Sequence, residues 1–401
     1  MIDFFEDNYV YFLVPLISGL IGYITNVLSI KMTFYPLDFV GIKPFLGWQG
    51  ILPSKATKMA EKSVDLLTRD LFKPKEVFER LDVKKVENIL HDDFLEMSAN
   101  ITDSVMKIKM PIAWEVAGIA VRGKIKKIIA FLLPEIVENS LQEIKENIDK
   151  ILDLKLLAVN TMKEDKAMIN KIFLDLGGRQ FRFIEVSGFW LGMLFGIGQN
   201  LTSLYTTHWL MFAVYGVFIG FITNWLAIKL IFEPAEPKKV GPFKFWGLFL
   251  RNQKEESYRY SQIIATEVLT NENLFDYIFR FSKSEVTKNI IFKYVSLAVD
   301  KALESQPVLF KFLITNQKTS EFKSIVFFHL INELPLHIRS VFTYTEKALN
   351  IQNTIGEKMA NLPPKQFIDF LRPAFQEDEW KLIAVGAALG GVAGILQSML
   401  V

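Results

Sequence analysis

The stretch Gly22-Tyr23-Ile24-Thr25-Asn26-Val27-Leu28-Ser29-Ile30-Lys31 lies in an apolar segment near the start of the chain. A similar stretch follows 198 residues later and reads Gly220-Phe221-Ile222-Thr223-Asn224-Trp225-Leu226-Ala227-Ile228-Lys229. A second pair of motifs has the same spacing: Gly188, Gly192, Gly196 and Gln199 correspond to Gly386, Gly390, Gly394 and Gln397. Two matches at one spacing indicate a tandem duplication of a unit of about 198 residues.

Four apolar segments are long enough to cross the hydrocarbon core of a bilayer, which needs about 20 residues. They cover about residues 9–32, 186–205, 210–232 and 382–401. Gly177-Gly178 is expected to end the helix that precedes the second segment. The sequence therefore predicts an all-α integral membrane protein with four transmembrane helices.

Two long segments between the membrane helices show apolar residues at three- and four-residue steps among charged ones, which is typical of amphipathic helices. They are predicted to form helical lobes over about residues 37–185 and 235–380. Pro134 and Pro335 are expected to separate helices within the lobes, and a Gly/Pro-rich loop is expected after Pro36. Repeat 1 thus covers residues 1–205 and repeat 2 covers residues 206–401.

The distribution of Lys and Arg near the membrane segments predicts the orientation, because cytoplasmic loops carry an excess of both. The N-terminal residues 1–9, the link 205–209 and the C-terminus carry none, whereas the lobe ends of all four segments carry several. Both lobes are therefore expected to be cytoplasmic, with both termini outside. The two repeats enter and leave the membrane in the same sense, so they are parallel repeats.

Composition argues against several classes of protein. The formal net charge is +2, and the densest basic run, residues 122–127, is short, so no nucleic-acid partner is expected. The chain has no cysteine, which excludes disulfides and thiolate nucleophiles. Its four histidines show no metal-ligand spacing, and phosphate-binding and nucleophile motifs are missing from the sequence. We therefore expect no enzyme activity, no cofactor and no metal.

Small and polar residues share one helical face in each membrane segment. Small-xxx-small faces let helix backbones approach closely, and amide side chains can hydrogen-bond across helices. Two interpretations stay open: a close-packed four-helix core with paired amides, or a polar path or small-substrate site at the axis between the repeats. The candidate residues are Gly22, Thr25, Asn26, Gln199, Gly220, Thr223, Asn224 and Gln397.

Charged residues next to the membrane segments form a second candidate site. The spacing of 198 residues places Arg179 opposite Glu377. Three interpretations stay open: a solvated helix start, an ion-paired collar between the repeats, or a partner-docking site. The set comprises Lys31, Lys229, Arg179, Arg182, Glu377, Asp378 and Glu379.

The motif Gly-x-x-Thr-Asn-x-x-x-x-Lys-x-x-Phe-x-Pro occurs at residues 22–36 and, with the same spacing, at residues 220–234. The stretch Phe375-Gln376-Glu377-Asp378-Glu379-Trp380-Lys381 leads into a Gly-rich terminal helix. Together these motifs resemble the bacterial membrane proteins grouped as domain-of-unknown-function family 445, the YheB/YjiN-like proteins. The resemblance implies a protein of the bacterial inner membrane with large cytosolic-type lobes, and it supplies no catalytic residues.

Two functions fit these observations. The first is a non-enzymatic scaffold or assembly protein, anchored in the lipid bilayer, whose lobes form a homo-oligomer or bind protein partners. The alternative is transport or lipid handling, through the polar transmembrane axis or through an apolar groove in the lobes. Such a groove could use the apolar clusters Val308, Leu309, Phe310, Phe312 and Leu313, and Ile325, Val326, Phe327 and Phe328.

Overall fold

The structure is a computed structural model that describes residues 2–42, 46–203, 205, 208–280, 284–305, 319–371 and 379–399. In the first half of the chain a long helix precedes a β-hairpin, a series of shorter helices and a second long helix. The helices are α1 (Ile2–Phe34), α2 (Ile51–Ser54), α3 (Ala56–Leu66), α4 (Pro74–Phe78), α5 (Val83–Ile89), α6 (His91–Lys109), α7 (Pro111–Val116), α8 (Ile119–Glu146), α9 (Ile148–Ile151), α10 (Leu154–Glu164) and α11 (Lys166–Ser203). The hairpin consists of β1 (Val40–Ile42) and β2 (Leu46–Trp48), and a π-helical turn, Leu67–Leu71, follows α3.

The second half begins with the same order of elements. Its helices are α12 (Trp209–Phe232), α13 (Leu248–Arg251), α14 (Gln253–Ile263), α15 (Asn271–Phe279), α16 (Ser284–Ser305), α17 (Thr319–His337), α18 (Arg339–Leu349), α19 (Ile351–Ala360), α20 (Pro364–Leu371) and α21 (Glu379–Gln397). The hairpin consists of β3 (Lys238–Val240) and β4 (Phe243–Phe245), and a π-helical turn, Ile264–Val268, follows α14.

Four of the described helices are long and apolar enough to cross a membrane. These segments are Phe12–Phe34, Asn170–Ser203, Trp209–Phe232 and Glu379–Gln397. The prediction of an all-α chain with four such helices is confirmed. Two short antiparallel hairpins lie in the regions predicted as helical lobes, and β1 pairs with β2 in the register Val40 to Trp48.

The prediction that Gly177-Gly178 ends a helix is wrong, because α11 runs without a break through both glycines. Each glycine in a helix interior costs about 1 kcal/mol relative to alanine. The ring of Phe181, one turn further along α11, lies against Gly177, where a Cβ atom would collide with it. The neighbours Leu176 and Phe181 are both buried, and the burial of each contributes about 1.5–3 kcal/mol, which offsets the cost of the glycines.

Two prolines predicted to separate helices lie inside them instead. Pro134 is in the middle of α8, and Pro335 is near the end of α17. An interior proline costs about 3 kcal/mol. Next to Pro134, however, Leu133, Ile136 and Val137 are buried, and this packing keeps the helix continuous.

Contacts divide the chain into two compact units. The first comprises residues 1–71, 158–268 and 352–401, and it contains the four membrane-crossing helices. Within it, α1 packs along α11 and α12 packs along α21, while smaller contacts join the two pairs. The predicted boundary between repeats near residue 205 stays a prediction, because repeats are defined by correspondence of sequence and compact units by contact.

The second unit comprises residues 72–157 and 269–351, so both halves of the chain contribute to it. Its core is formed mainly by α6, α8, α16 and α17, which pack on one another. Phe94, Met97 and Ile101 of α6 and Val295 of α16 are almost completely buried in this core. A part of each predicted lobe thus contributes apolar residues to one helical core, while the remaining parts of both lobes belong to the first unit.

Candidate functional site: the polar core of the membrane helices

Glycine residues form the contact surfaces within both helix pairs. A Cβ atom at Gly22 of α1 would overlap the carbonyl oxygen of Gly188 in α11. A Cβ atom at Gly220 of α12 would likewise overlap the carbonyl oxygen of Gly386 in α21. The backbones therefore touch, and only glycine allows so close an approach. The same face continues through Gly192, Gly196, Gly216, Gly390 and Gly394.

Two buried asparagines make equivalent hydrogen bonds in the two pairs. Asn26 Nδ2 donates to the carbonyl oxygen of Ile184 at 2.7 Å. Asn224 Nδ2 donates to the carbonyl oxygen of Leu382 at 2.9 Å. Donors and acceptors are both 198 residues apart. Each bond ties a helix to its partner and satisfies an amide that would otherwise cost several kcal/mol in hydrocarbon.

The asparagines also join one helix pair to the other. Asn224 Nδ2 lies 3.0 Å from Ser29 Oγ on α1, to which it donates. The hydroxyl of Thr223 lies 2.8 Å from the carbonyl oxygen of Ile219, 3.3 Å from Asn26 Oδ1 and 3.5 Å from the carbonyl oxygen of Gly220, so three acceptors compete for its single proton. The two halves of the bundle are thereby linked through a buried polar cluster.

Thr25, the residue that corresponds to Thr223, bonds only locally among the contacts described. Its hydroxyl donates to the carbonyl oxygen of Gly22 in the same helix at 3.1 Å. Such a bond satisfies the hydroxyl within its own helix. Thr223 makes the corresponding contact to the carbonyl oxygen of Gly220 at 3.5 Å. The equivalence of Thr25 and Thr223 therefore holds for their burial and for this local contact, whereas the bonds from Thr223 to Ile219 and Asn26 have no described counterpart at Thr25.

A second polar cluster lies two helical turns away from the asparagines. Ser18 Oγ on α1 donates to Gln199 Oε1 on α11 at 3.0 Å. Gln397 Nε2 on α21 lies 3.4 Å from Ser18 Oγ and 3.5 Å from Gln199 Oε1. All three residues are buried, and Gln199 Nε2 has no hydrogen-bond partner within the described ranges. This cluster brings together the two glutamines predicted from the sequence.

A small cavity adjoins the asparagine cluster. Its volume is about 40 Å³, and its wall is mostly apolar, with Phe34, Phe181 and Phe249 next to Ser29 and Asn224. A cavity of this size holds one or a few water molecules, since the share of one molecule in liquid water is about 30 Å³. It does not accommodate a lipid chain.

The structure gives Arg179 partners that the sequence did not predict. The Arg179 guanidinium lies 2.9 Å from carboxylate oxygens of Glu255 and of Glu256, both on α14. Gln180 Nε2 donates to the same Glu256 oxygen at 3.2 Å. The Glu256 side chain is fully buried, and the hydrogen bond from Arg179 lowers the pKa of the Glu255 carboxyl. Glu256 was missed because it sits in a charged helical stretch with no sign of its burial.

The other predicted charged residues do not meet in one place. Lys229 lies 3.9 Å from Glu233 and over the ring of Trp225, whereas Lys31 and Arg182 are exposed. Glu379 begins α21. Glu377 and Asp378 lie outside the described residues, so the proposed collar between Arg179 and Glu377 stays a prediction. The apolar cluster from Val308 to Leu313 is outside them as well.

This chain is similar to proteins described as UPF0754 membrane proteins. One from Bacillus thuringiensis is 25% identical over 180 residues, which are 41% of this chain and 45% of that protein. One from Microcystis aeruginosa is 27% identical over 187 residues, or 43% and 42% of the two chains. One from Shouchella clausii is 36% identical over 74 residues, or 17% and 20%. The chain thus spans less than half the length of the curated relatives it matches.

No family model matches the chain, and no solved structure matches it. The resemblance to domain-of-unknown-function family 445 therefore stays a prediction. The names of the relatives and the four apolar helices agree that the chain is a membrane protein.

Proposed function

We propose that the protein is a non-enzymatic, membrane-anchored helical scaffold. The observation that carries this proposal is the close packing of the membrane helices, with their buried amides hydrogen-bonded to neighbouring helices. The glycine faces bring backbones into contact, and the asparagine side chains are hydrogen-bonded to neighbouring helices. Such a bundle is suited to anchoring the rest of the chain in the membrane rather than to passage of a solute. Each inter-helix amide bond of this kind contributes about 0.6 kcal/mol on average in a membrane.

The proposal includes a tandem parallel repeat. It is supported by recurrence of the hairpins, the π-helical turns and the two asparagine hydrogen bonds at spacings of about 198 residues. The distribution of Lys and Arg supports cytoplasmic lobes with both termini outside, in a bacterial inner membrane. Cysteines introduced at Tyr205 and at Leu336 should then react with an impermeant reagent from opposite faces. Labelling of both from the same face would refute this orientation.

The scaffold is proposed to assemble through its lobes with a second copy or with a protein partner. Phe131 and Phe328 support this, since both are large apolar residues that are exposed in the second unit. Mass spectrometry of the gently purified full chain tests the proposal. A scaffold should give a discrete oligomer or a stoichiometric protein partner, with lipids in the proportions of the bulk membrane. A monomer without partners would contradict it.

Lipid handling is the second candidate, and a cavity in the second unit favours it. The cavity has a volume of about 90 Å³, which accommodates the end of an acyl chain and not a whole lipid, and it is lined by Phe78, Phe275, Phe279 and Phe342 among other apolar residues. Asn271 contributes a polar group to its wall. A photoactivatable fatty acid should then crosslink to α15 and α18, and one lipid species should remain bound at a fixed ratio in mass spectra. Crosslinks confined to the membrane helices would contradict this function.

Transport along the polar axis is a further alternative. It is favoured by the small cavity beside Asn224 and by the buried Gln199 Nε2 without a described partner. Passage would require the two helix pairs to separate at the hydrogen bonds that join them, from Asn224 to Ser29 and from Thr223 to Asn26. Proteoliposomes that hold the full chain should then release a small polar solute faster than empty liposomes, and Asn224→Leu should abolish the difference without unfolding the protein. Equal release from both kinds of liposome would contradict transport.

A further inference from the structure

An exposed apolar surface lies where α7 meets α8 in the second unit. We call residues 106–127 the α7–α8 tip. Ile112, Val116 and Ile119 are 78%, 81% and 92% exposed. The neighbouring Pro111, Ala113 and Ala120 are exposed as well. Contiguous apolar side chains at such exposure mark a surface that interacts with a membrane or with a partner.

The tip is held in shape from inside. Trp114 is 3% exposed and packs with Met106 and Ile125 in a small apolar cluster, and Met110 and Ala117 pack against that cluster. The Arg122 guanidinium lies over the Trp114 ring at 5.3 Å and donates to the carbonyl oxygen of Glu115 at 2.9 Å. The exposed side chains are therefore presented by an ordered element.

The tip also concentrates positive charge. Residues 106–127 hold six Lys and Arg and one acidic residue, although the whole chain has a net charge of only +2. Lys124 and Lys127 are exposed on α8, shortly after the apolar residues. Two of the six cations are held by ion pairs, Lys126 with Asp103 at 2.8 Å and Lys109 with Glu321. Exposed apolar side chains beside a basic cluster are the combination that binds the interface of an anionic bilayer.

We propose that the α7–α8 tip docks on a bilayer surface that carries anionic lipid. Its isoleucine and valine side chains enter the boundary between headgroups and acyl chains, and its lysines contact the anionic headgroups. A second copy of the same tip fits this surface less well, because two basic clusters would face one another and repel. This role is independent of the scaffold proposed above, since it concerns neither the membrane helices nor assembly.

The absence of cysteine from the native sequence allows a direct test. Ile119→Cys is labelled with an environment-sensitive fluorophore in the full chain, which is reconstituted in liposomes that contain a spin-labelled quencher lipid. Leu336→Cys is the matched control, because Leu336 is 70% exposed on α17 in the same unit. Because every bilayer carries the quencher, docking on the protein's own liposome or on a neighbouring one gives the same signal. The label at residue 119 should be quenched with phosphatidylglycerol present, and the label at 336 should not.

Variants of exposed residues separate docking from misfolding. Each lysine near an anionic surface strengthens binding roughly fivefold, so Lys124→Gln with Lys127→Gln should weaken the docking about thirtyfold. Val116→Ser should weaken it without changing the circular dichroism spectrum. Equal quenching in purely neutral liposomes, or no quenching at residue 119, would overturn the proposal. Disulfide-linked dimers of Ile119→Cys without quenching would assign the tip to a second copy instead, which also overturns it.

Discussion

Replacing Gly220 by alanine tests whether backbone contact holds the membrane helices together. The added Cβ atom would overlap the carbonyl oxygen of Gly386, and this oxygen cannot move aside as a flexible side chain could. The α12–α21 pair must therefore separate. Its separation would also lengthen the nearby hydrogen bond from Asn224 to the carbonyl oxygen of Leu382, which is 2.9 Å long.

The expected loss follows from three contributions. In a helix interior, alanine stabilises the helix by about 0.5–1 kcal/mol relative to glycine. Overpacking at a close contact costs about 1–3 kcal/mol, because a gap of about 1 Å forfeits a quarter to a half of the dispersion attraction around it. Weakening of one inter-helix amide bond adds about 0.6 kcal/mol. The free energy of unfolding of Gly220→Ala should therefore fall by about 1–3 kcal/mol.

Unfolding in mixed micelles by increasing detergent, followed by tryptophan fluorescence, measures this difference. Gly198→Ala is the matched control, because Gly198 also lies in a membrane helix and a Cβ atom there would meet no neighbouring atom within 4 Å. The control should be neutral, or more stable by up to about 1 kcal/mol. Equal unfolding curves for Gly220→Ala and Gly198→Ala would refute the role of backbone contact.

Three further outcomes are expected from the same assay. Asn224→Leu loses hydrogen bonds to Ser29 Oγ and to a backbone carbonyl, so its stability should fall by about 1–2 kcal/mol; unchanged stability would contradict a packing role. Arg179→Gln leaves the buried Glu256 carboxylate without its cation and should cost about 1.5–3 kcal/mol. Arg182→Gln, at an exposed residue, should change the free energy of unfolding by no more than about 0.5 kcal/mol. Equal losses for Arg179→Gln and Arg182→Gln would contradict the pairing of Arg179 with Glu256. The hydrogen bond from Arg179 lowers the pKa of the Glu255 carboxyl from its ordinary value of 4.5. The pair therefore contributes its full stabilisation of the fold above pH 4.5, and this contribution is lost as the pH falls through the lowered pKa. Below pH 4.5 the free energy of unfolding of Arg179→Gln should accordingly fall less steeply than that of the unchanged protein. Parallel curves of this free energy against pH would argue against the linkage.

The membrane helices could be predicted because hydropathy alone decides them. A run of about 20 apolar residues has few alternatives to a helix across the bilayer, since its backbone groups must bond within the segment. The predicted segments 9–32 and 210–232 differ from the apolar helices found by only a few residues. The second segment differs more, because it was predicted from residue 186 whereas the apolar helix extends back to Asn170.

Glycine and proline misled the prediction where local preference opposes burial. Gly177-Gly178, Pro134 and Pro335 each weaken a helix locally, yet all lie inside continuous helices. The buried side chains around them stabilise the helix by more than the local cost. The sequence shows the cost at each position, whereas the compensating burial depends on packing partners that are distant in the chain.

The polar core shows a further limit of repeat-based prediction. A shared glycine face indicates which amides are buried, and Asn26, Asn224, Gln199 and Gln397 all are. It does not indicate their partners, because those depend on how neighbouring helices are rotated. The spacing of 198 residues aligned Arg179 with Glu377, but alignment relates positions of similar role and not positions in contact. The partner found is Glu256, which corresponds by the same spacing to Lys58, a residue of opposite charge. A contact whose charges differ between the halves cannot be found by comparing the halves, and only the packed structure identifies it.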